Sequence, residues 1–548
     1  MRVFKYILPL CLGAFGALAQ TQDLGAPDSW LEADVNQLNY LTMPTVDVAE
    51  ELAIDSINKA AGYNKTFRFG YEHNVDVDVF NQGQQYFNTN NQRVTQLAIE
   101  CPDAISINLI FDQFHLAEGT LLYLYNDDKT QFIGAHTSQN NNPNNSLGVD
   151  LIYDSKMIIE VIEPQDVIGL SKLHLGTIIH GYKNLAEIAY QFHLKGLNSS
   201  GSCNVDVNCP EGGGFERQRD GVAMLVSGSG FCSGSLINCA TNTTDSVTPY
   251  LLTANHCNTN NVVNAVFRFR WEAPYDGTSC ATTSFSQNGG QTMNINGAQL
   301  RASNIIADFC LVELNNEPDP AWNVYYSGWD MTGDTVMHAN GIHHPSGDIK
   351  KFCQEDDPIS KVGPQYFNGG NAYFWKIDDW DIGVTEPGSS GSPLFNEEKR
   401  IIGVLSAGQA ACNGTNDNNL WDIYGRFDVA YDDLADSTDQ LKYWLDPNNT
   451  GIQFLDGMAS NVGLFEENAP QIDFEIYPNP STGQFEIEVG EINEEKTINI
   501  YNALGEHIQS LKSSDVIISI NMAQYAKGVY MVEVQQGDQR GVQRLVLQ

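Results

Sequence analysis

The 548-residue chain is predicted to be all-β in its folded parts, and three observations predict it. Short apolar–polar alternations recur, as in ISINLIFDQF (105–114), TLLYLYN (120–126) and KMIIEVIEP (156–164). Turn-forming polar runs such as QNNNPNNS (139–146) separate them. Long helical periods are few. A period of two broken by polar turns is the pattern of sheets with one buried face. The length exceeds what one hydrophobic core organises, so about three folded units are expected.

The elements follow in order. Arg2 and Lys5 precede an apolar run, Ile7 to Leu18, that closes on Ala17-Leu18-Ala19. A charged start, a short apolar middle and a small-residue end read as an export signal over residues 1–19. The run is shorter than a bilayer span. Residues 20–195 read as a β-rich module with a mixed N-terminal start. The joint KGLNSSGSCN (195–204) is small and polar, which suits a processing site. From 196 to 458 many short strands with Gly and Asn turns favour a β-barrel or sandwich. An exception is DDLADSTDQLKYWL (432–445), where Leu434, Leu441, Trp444 and Leu445 fit one face of a closing helix. A linker at 459–470 leads into a module over 471–548. Its strands FEIEV, TINIYNALG, VIISINM and GVYMVEVQQ predict a small antiparallel sandwich.

The formal charge is −39, from 68 acidic against 29 basic residues. This balance argues against binding of nucleic acid through a basic face. Export permits disulfides, and nine of the eleven cysteines fall between 203 and 412. Nine is odd, so one thiol stays free or pairs elsewhere.

Three stretches carry chemistry. TEPGSSGSPLF (385–395) sets Ser389, Ser390 and Ser392 among glycines. An acyl-transfer nucleophile needs a sharp turn exposing its hydroxyl and backbone N–H groups aimed at the developing oxyanion. Gly388 lets the backbone approach closely, and Gly391 relieves crowding behind the serine. LLTANHC (251–257) runs an apolar strand into His256, which suits a general base held by a neighbouring disulfide. In NIIADFCLVEL (304–314), Asp308 sits among apolar residues, where an unpaired carboxylate is costly. A histidine Nδ1–H is its usual partner. His256, Asp308, Ser390 is also the chain order of the chymotrypsin-type triad.

The strings GSCNVDVNCPEG (201–212), CSGSLIN (232–238), LLTANHC, DFCLVELNN (308–316), IHHP (342–345), GVTEPGSSGSP (383–393), DIYGR (422–426) and WLDPNNTGIQF (444–454) resemble the lysyl endopeptidases. These are secreted bacterial serine proteases of the chymotrypsin-like double-barrel fold. The resemblance implies Ser390 as nucleophile, His256 as base and then acid, and Asp308 as its orienting anion. The N–H groups of Gly388 and Ser390 would form the oxyanion hole. It implies disulfides Cys203–Cys412, Cys209–Cys280 and Cys232–Cys257. Cys239, Cys310 and Cys353 lie outside that scheme; a Cys239–Cys353 bridge would leave Cys310 as a small core residue. Residues 20–195 would be a propeptide that assists folding and blocks the site, released by cleavage at Lys195-Gly196.

The resemblance also puts the carboxylate for a lysine ammonium at Asp422, since Val384 stands where many trypsin-like pockets carry aspartate. Two departures stand out. Chymotrypsin-like enzymes usually hold aspartate at the position of Ser389, where a freed N-terminus pairs with it to order the hole. Serine cannot form that ion pair, so the hole must be ordered another way. The lysyl enzymes carry histidine where this chain has Ser406, stacked on a tryptophan for which Tyr366 or Phe367 is the candidate here. The first reading is cleavage after lysine; broader Lys/Arg cleavage and an inactive protease-fold adhesin are the alternatives.

The histidines of HANGIHHP (338–345) are read as packing a strand end, with no metal site expected. No cofactor motif is present. IYPNPSTGQFEIEV (476–489), IYNALGEHI and KGVYMVEV resemble the C-terminal sorting domain of the type IX secretion system. That implies the secretion machinery as a partner and a secreted or surface-attached end state. Protein or peptide substrates containing lysine are the other expected partners, and a monomer is expected.

Overall fold

Between residues 38 and 183 the alternating segments pair into two sheets. The computed structural model describes residues 25–27, 30, 38–61, 67–183, 200–243, 246–257, 262–273, 293–434, 439–460, 474–489, 496–502, 507–536 and 539–547. One sheet orders Tyr40–Thr42, Arg93–Glu100, Lys156–Glu163, Leu121–Asn126 and Phe132–His136, with Gln84–Phe87 beside Arg93–Glu100. The other orders Gly70–Asp78, Lys172–Gly181, Ser106–His115 and Leu147–Gly148. Alternate residues of both sheets, among them Leu97, Ile99, Leu109, Phe111, Ile159 and Ile178, meet in one buried cluster. The mixed start is the helix Val48–Ala61, with Glu50 and Glu51 in its first turn. Acidic side chains there oppose the positive end of the helix dipole.

Residues 200–460 hold two larger sheets. The first orders Asn294–Asn296, Val266–Arg268, Val222–Ser227, Gly230–Leu236, Tyr250–Thr253, Phe309–Leu314 and Ala298–Asn304. Its outermost strands, Asn294–Asn296 and Ala298–Asn304, are joined by Gly297 alone, at φ +76°. A sheet whose two edges lie one residue apart has to curl until they meet, which makes a barrel. The second sheet orders Val205–Asp206, Lys351–Glu355, Ala339–His343, Pro393–Phe395, Ile401–Gly408, Asp422–Arg426, Gly370–Ile377 and Ser360–Phe367. One buried cluster draws Leu252, Phe309 and Leu311 from the first sheet and Ile342, Phe395 and Val404 from the second. The loops between the sheets therefore stand on a shared core.

Two expectations are corrected here. The closing segment is not one helix: Phe427–Asp432 and Lys442–Leu445 are separate short helices, with Asp433 and Leu434 outside both. Leu441 and Leu445 are buried and Leu434 and Trp444 pack beside them, so the apolar face exists without helical continuity. The polar run that follows Leu434 offers backbone-competing side chains instead of helix formers. Second, Cys239 and Cys353 are not bridged; they are buried thiols in different core clusters. Cys310 is likewise a buried thiol, which burial pushes up to about 12.

The chain divides into two compact units, Met1–Asn461 and Val462–Gln548. In the second, Phe474–Tyr477, Gln484–Val489 and Ile517–Asn521 form one sheet. His507–Ser513, Lys496–Asn502, Gly528–Gln536 and Gln539–Leu547 form another. Phe485, Ile487 and Ile520 of one meet Ile498, Val532 and Leu545 of the other, as a sandwich requires.

Candidate active site

His256 follows the strand Tyr250–Thr253, and Asp308 precedes Phe309–Leu314. Those strands are antiparallel neighbours with Thr253 opposite Cys310, so the end of one meets the start of the other. Asp308 is fully buried with a left-handed φ of +51°. One of its oxygens accepts the His256 backbone N–H at 3.0 Å, and the other accepts the ring Nδ1–H at 2.8 Å. The burial cost of the carboxylate is offset by both bonds, and the ring is left with Nε2 as the acceptor. That Nε2 lies 2.7 Å from the Ser390 hydroxyl, which enters from the second sheet on the turn before Pro393–Phe395. Residues 134 positions apart thus share one proton path.

The serine turn is packed from below. The Ser390 carbonyl accepts the Ser233 N–H at 2.8 Å, and the Ser233 hydroxyl donates to the Gly388 carbonyl at 3.0 Å. The N–H groups of Ser389, Gly391 and Ser392 donate to the carbonyls of Glu386, Leu405 and Ser389. Among the described residues, those of Gly388 and Ser390 donate to none. Gly388 has φ +103° and Gly391 φ +78°. A Cβ on Gly391 would lie 2.1 Å from the Thr253 hydroxyl oxygen, so no other residue fits.

Ser389 has a role of its own. Its hydroxyl oxygen accepts the Glu386 N–H at 3.2 Å and lies 2.7 Å from Nδ1 of His343. The Glu386 carboxylate accepts the Gly201 N–H at 2.8 Å and the Asn204 amide at 3.0 Å. The disulfide Cys203–Cys412 anchors the same segment. Where an N-terminal ammonium would pair with an aspartate, this chain sets a Ser389–His343 hydrogen bond and a carboxylate holding the Gly201 N–H and the Asn204 side-chain amide. His344 donates its N–H to Ser233 and its ring Nδ1–H to the Asp348 carbonyl. Burial, with Lys350 nearby, holds that ring well below the imidazole range.

Asp422 lies on Asp422–Arg426, fully buried. One oxygen accepts Trp380 Nε1–H at 2.9 Å and the Thr385 hydroxyl at 2.5 Å. Opposite it in the sheet is Gly408, where a Cβ would fall 1.7 Å from the other oxygen. Trp380, Thr385 and Gly408 were not singled out in the sequence; only Thr385 carries a local signal, its place in the serine string. Ser406 is buried on the neighbouring strand, with Val384 also buried. Tyr366 is 82% exposed, and Phe367 packs edge-on against Phe374.

Cys232–Cys257 ties the residue after His256 to the strand Gly230–Leu236. Cys209 is disulfide-bonded, while Cys280, its expected partner, lies outside the described residues, as do Lys195 and Gly196.

In sequence, residues 197–425 match the model of the lysyl endopeptidase C-terminal domain. Residues 475–548 match that of the secretion system C-terminal sorting domain. The chain thus carries a segment similar to the lysyl endopeptidase C-terminal domain followed by one similar to a sorting domain. A lysyl endopeptidase of Pseudomonas aeruginosa is 28% identical over 305 residues, 52% of this chain and 62% of that protein. The match therefore spans under two thirds of the relative. Among solved structures, a Glu endopeptidase is 16% identical over 42% of this chain and 93% of its own, at a TM-score of 0.26. Deg5 is 12% identical over 39% and 87%, at 0.25. The sorting-domain match places the chain as secreted or at the cell surface.

Proposed function

We propose that the protein is a secreted serine endopeptidase, made as a zymogen, that cleaves on the carboxyl side of lysine. The observation that carries this is the His256 ring set between the buried Asp308 carboxylate and the Ser390 hydroxyl. His256 takes the hydroxyl proton as Ser390 attacks the carbonyl carbon, and Asp308 stabilises the imidazolium that forms. The unspent N–H groups of Gly388 and Ser390 receive the developing oxyanion. His256 returns the proton to the departing amine. Water, activated by the same ring, then hydrolyses the acyl-enzyme and frees Ser390.

Asp422 supports the choice of a cationic side chain. Trp380 and Thr385 hold one carboxylate oxygen, and Gly408 leaves the space beside the other. A buried carboxylate favours an entering cationic side chain over a neutral one. Ser406, in place of histidine, favours a second reading in which arginine is also accepted. Residues 20–195 act as the propeptide, Lys195-Gly196 as the processing site, and the sorting domain engages the type IX secretion machinery.

Matched lysine, arginine and neutral ester substrates test the pocket. The wild type is expected to prefer lysine, and Asp422→Asn to lose about 10²–10³ in kcat/KM on it. An unchanged cationic preference in Asp422→Asn would remove Asp422 from the pocket.

A further inference from the structure

The strand Gly230–Leu236 leads from the outer edge of the first sheet to the serine turn. Tyr250–Thr253 pairs with its far end only, at Ser235 and Leu236. At its near end the N-terminal module supplies the partner: Arg68 lies opposite Gly230 and Phe67 opposite Phe231, antiparallel. The pairing continues outward, with the Phe69 N–H donating to the Ser229 carbonyl at 2.8 Å. The Ser229 N–H in turn donates to the Glu72 carboxylate at 3.0 Å. Phe69 stacks on Phe231 at 4.4 Å between ring centres, and Phe67 at 6.1 Å. Phe231 is thereby buried.

This edge adjoins the reacting groups. Cys232 is bonded to Cys257, beside His256, and the Ser233 N–H reaches the Ser390 carbonyl at 2.8 Å. The Asp422 corner lies on the second sheet, whereas Gly230–Phe231 belongs to the first. The group protonated by His256 departs on the His256 side, so the substrate chain beyond the cleaved bond leaves toward Cys232 and Phe231. An extended chain there finds a strand edge to pair with. In the uncut protein that edge is taken.

On the reading that also admits arginine, Arg68 would itself be a target, but its guanidinium is withheld. Glu51 and Asp55, on the helix Val48–Ala61, hold it at 2.6 and 2.8 Å. Asp55 also holds Lys183, at 2.7 Å. Farther out, the buried Asp150 carboxylate pairs with Arg268 and accepts the Asn294 amide at 2.7 Å. Asn296 donates to the Gly148 carbonyl at 2.8 Å. The module is fastened to the first barrel well beyond the strand.

We propose that the strand Phe67–Arg68 blocks the protease by occupying the leaving-group edge at Gly230–Phe231, leaving the triad and the Asp422 corner formed. This rests on the endopeptidase reading above. The module is an edge plug whose own basic side chain is held back by carboxylates.

The test uses the full chain with Lys195→Gln, verified intact by mass, beside the processed wild type. Two probes are compared: a lysyl methyl ester, with almost nothing beyond the cleaved bond, and a peptide extending four residues past its lysine. The uncut chain is expected to hydrolyse the ester within about threefold of the processed protein and the peptide at least 100-fold more slowly. Adding Phe67→Ala and Phe69→Ala should raise the peptide rate at least tenfold, with the ester rate as the control for folding. Hydrogen exchange supplies a readout without substitution at the interface. The Gly230 and Phe231 amides should be protected in the uncut chain and exchange faster once the module is removed. Equal peptide rates in uncut and processed protein would overturn the proposal. So would an uncut chain inactive on both probes beside a processed protein active on both, a result that leaves the endopeptidase reading standing. A processed protein inactive on both probes would instead overturn that reading and the edge plug with it.

Discussion

The N-terminal module and the two-sheet body solve the problem of staying folded differently. The body carries Cys203–Cys412 and Cys232–Cys257, and Cys209 is also bonded. The described part of the module has no disulfide, and Cys101 is a buried thiol. It buries three histidines instead. Among the described residues, both ring nitrogens of His136 and His180 lack a hydrogen-bond partner, as does Nε2 of His73. Desolvation holds His136 down to about 4, and desolvation with repulsion from His73 holds His180 to about 4. One part is fastened to endure alone, and the other is held by burial that acid weakens. On the proposed processing at Lys195-Gly196, a body that outlives its module needs that asymmetry.

The comparison can be broken at several points, beginning with the largest effect. Gly391→Ala should cut kcat about 10²–10³-fold, because its Cβ displaces the turn carrying Ser390. Steady-state kinetics on the ester checks this, with an unchanged melting profile expected for the module. Next, replacing both Cys203 and Cys412 by serine should cost the body about 2–4 kcal/mol, read by denaturant unfolding. The module's transition should stay in place; an equal shift in both would mean that they melt as one unit.

The smallest effect is on pH. A histidine with a lowered folded value is neutral in both states above about 6.5, so nothing is lost there. As pH falls toward 4, the unfolded chain takes up protons that the folded module refuses, and stability falls. His136→Phe should flatten that loss by on the order of 1–3 kcal/mol at pH 4. Unfolding followed by a probe in the module checks it. A pH profile identical to that of the wild type would show that His136 does not contribute.

How much of this could be read in the sequence depended on how local each feature is. His256, Asp308 and Ser390 each sit at a strand end or turn with its own short string, so their order along the chain was visible. The strands 105–114, 120–126 and 156–164 were visible because alternation is local too. Trp380 and Thr385 come from outside the DIYGR string, and nothing in either marks a hold on Asp422. The seating of Phe67 on Phe231 joins residues 164 apart. Two aromatics in two short apolar segments give no hint of register. Leu434 to Leu445 misled for the opposite reason: an apolar spacing fitted a helix face, while the residues between favoured turns.

Labelling of the processed protein by a serine-directed fluorophosphonate tests the central claim most directly. The wild type is expected to label stoichiometrically, Ser390→Ala not at all, and His256→Ala at least 10³-fold more slowly. Undiminished labelling of Ser390→Ala, or none of a folded, processed wild type, would contradict the account.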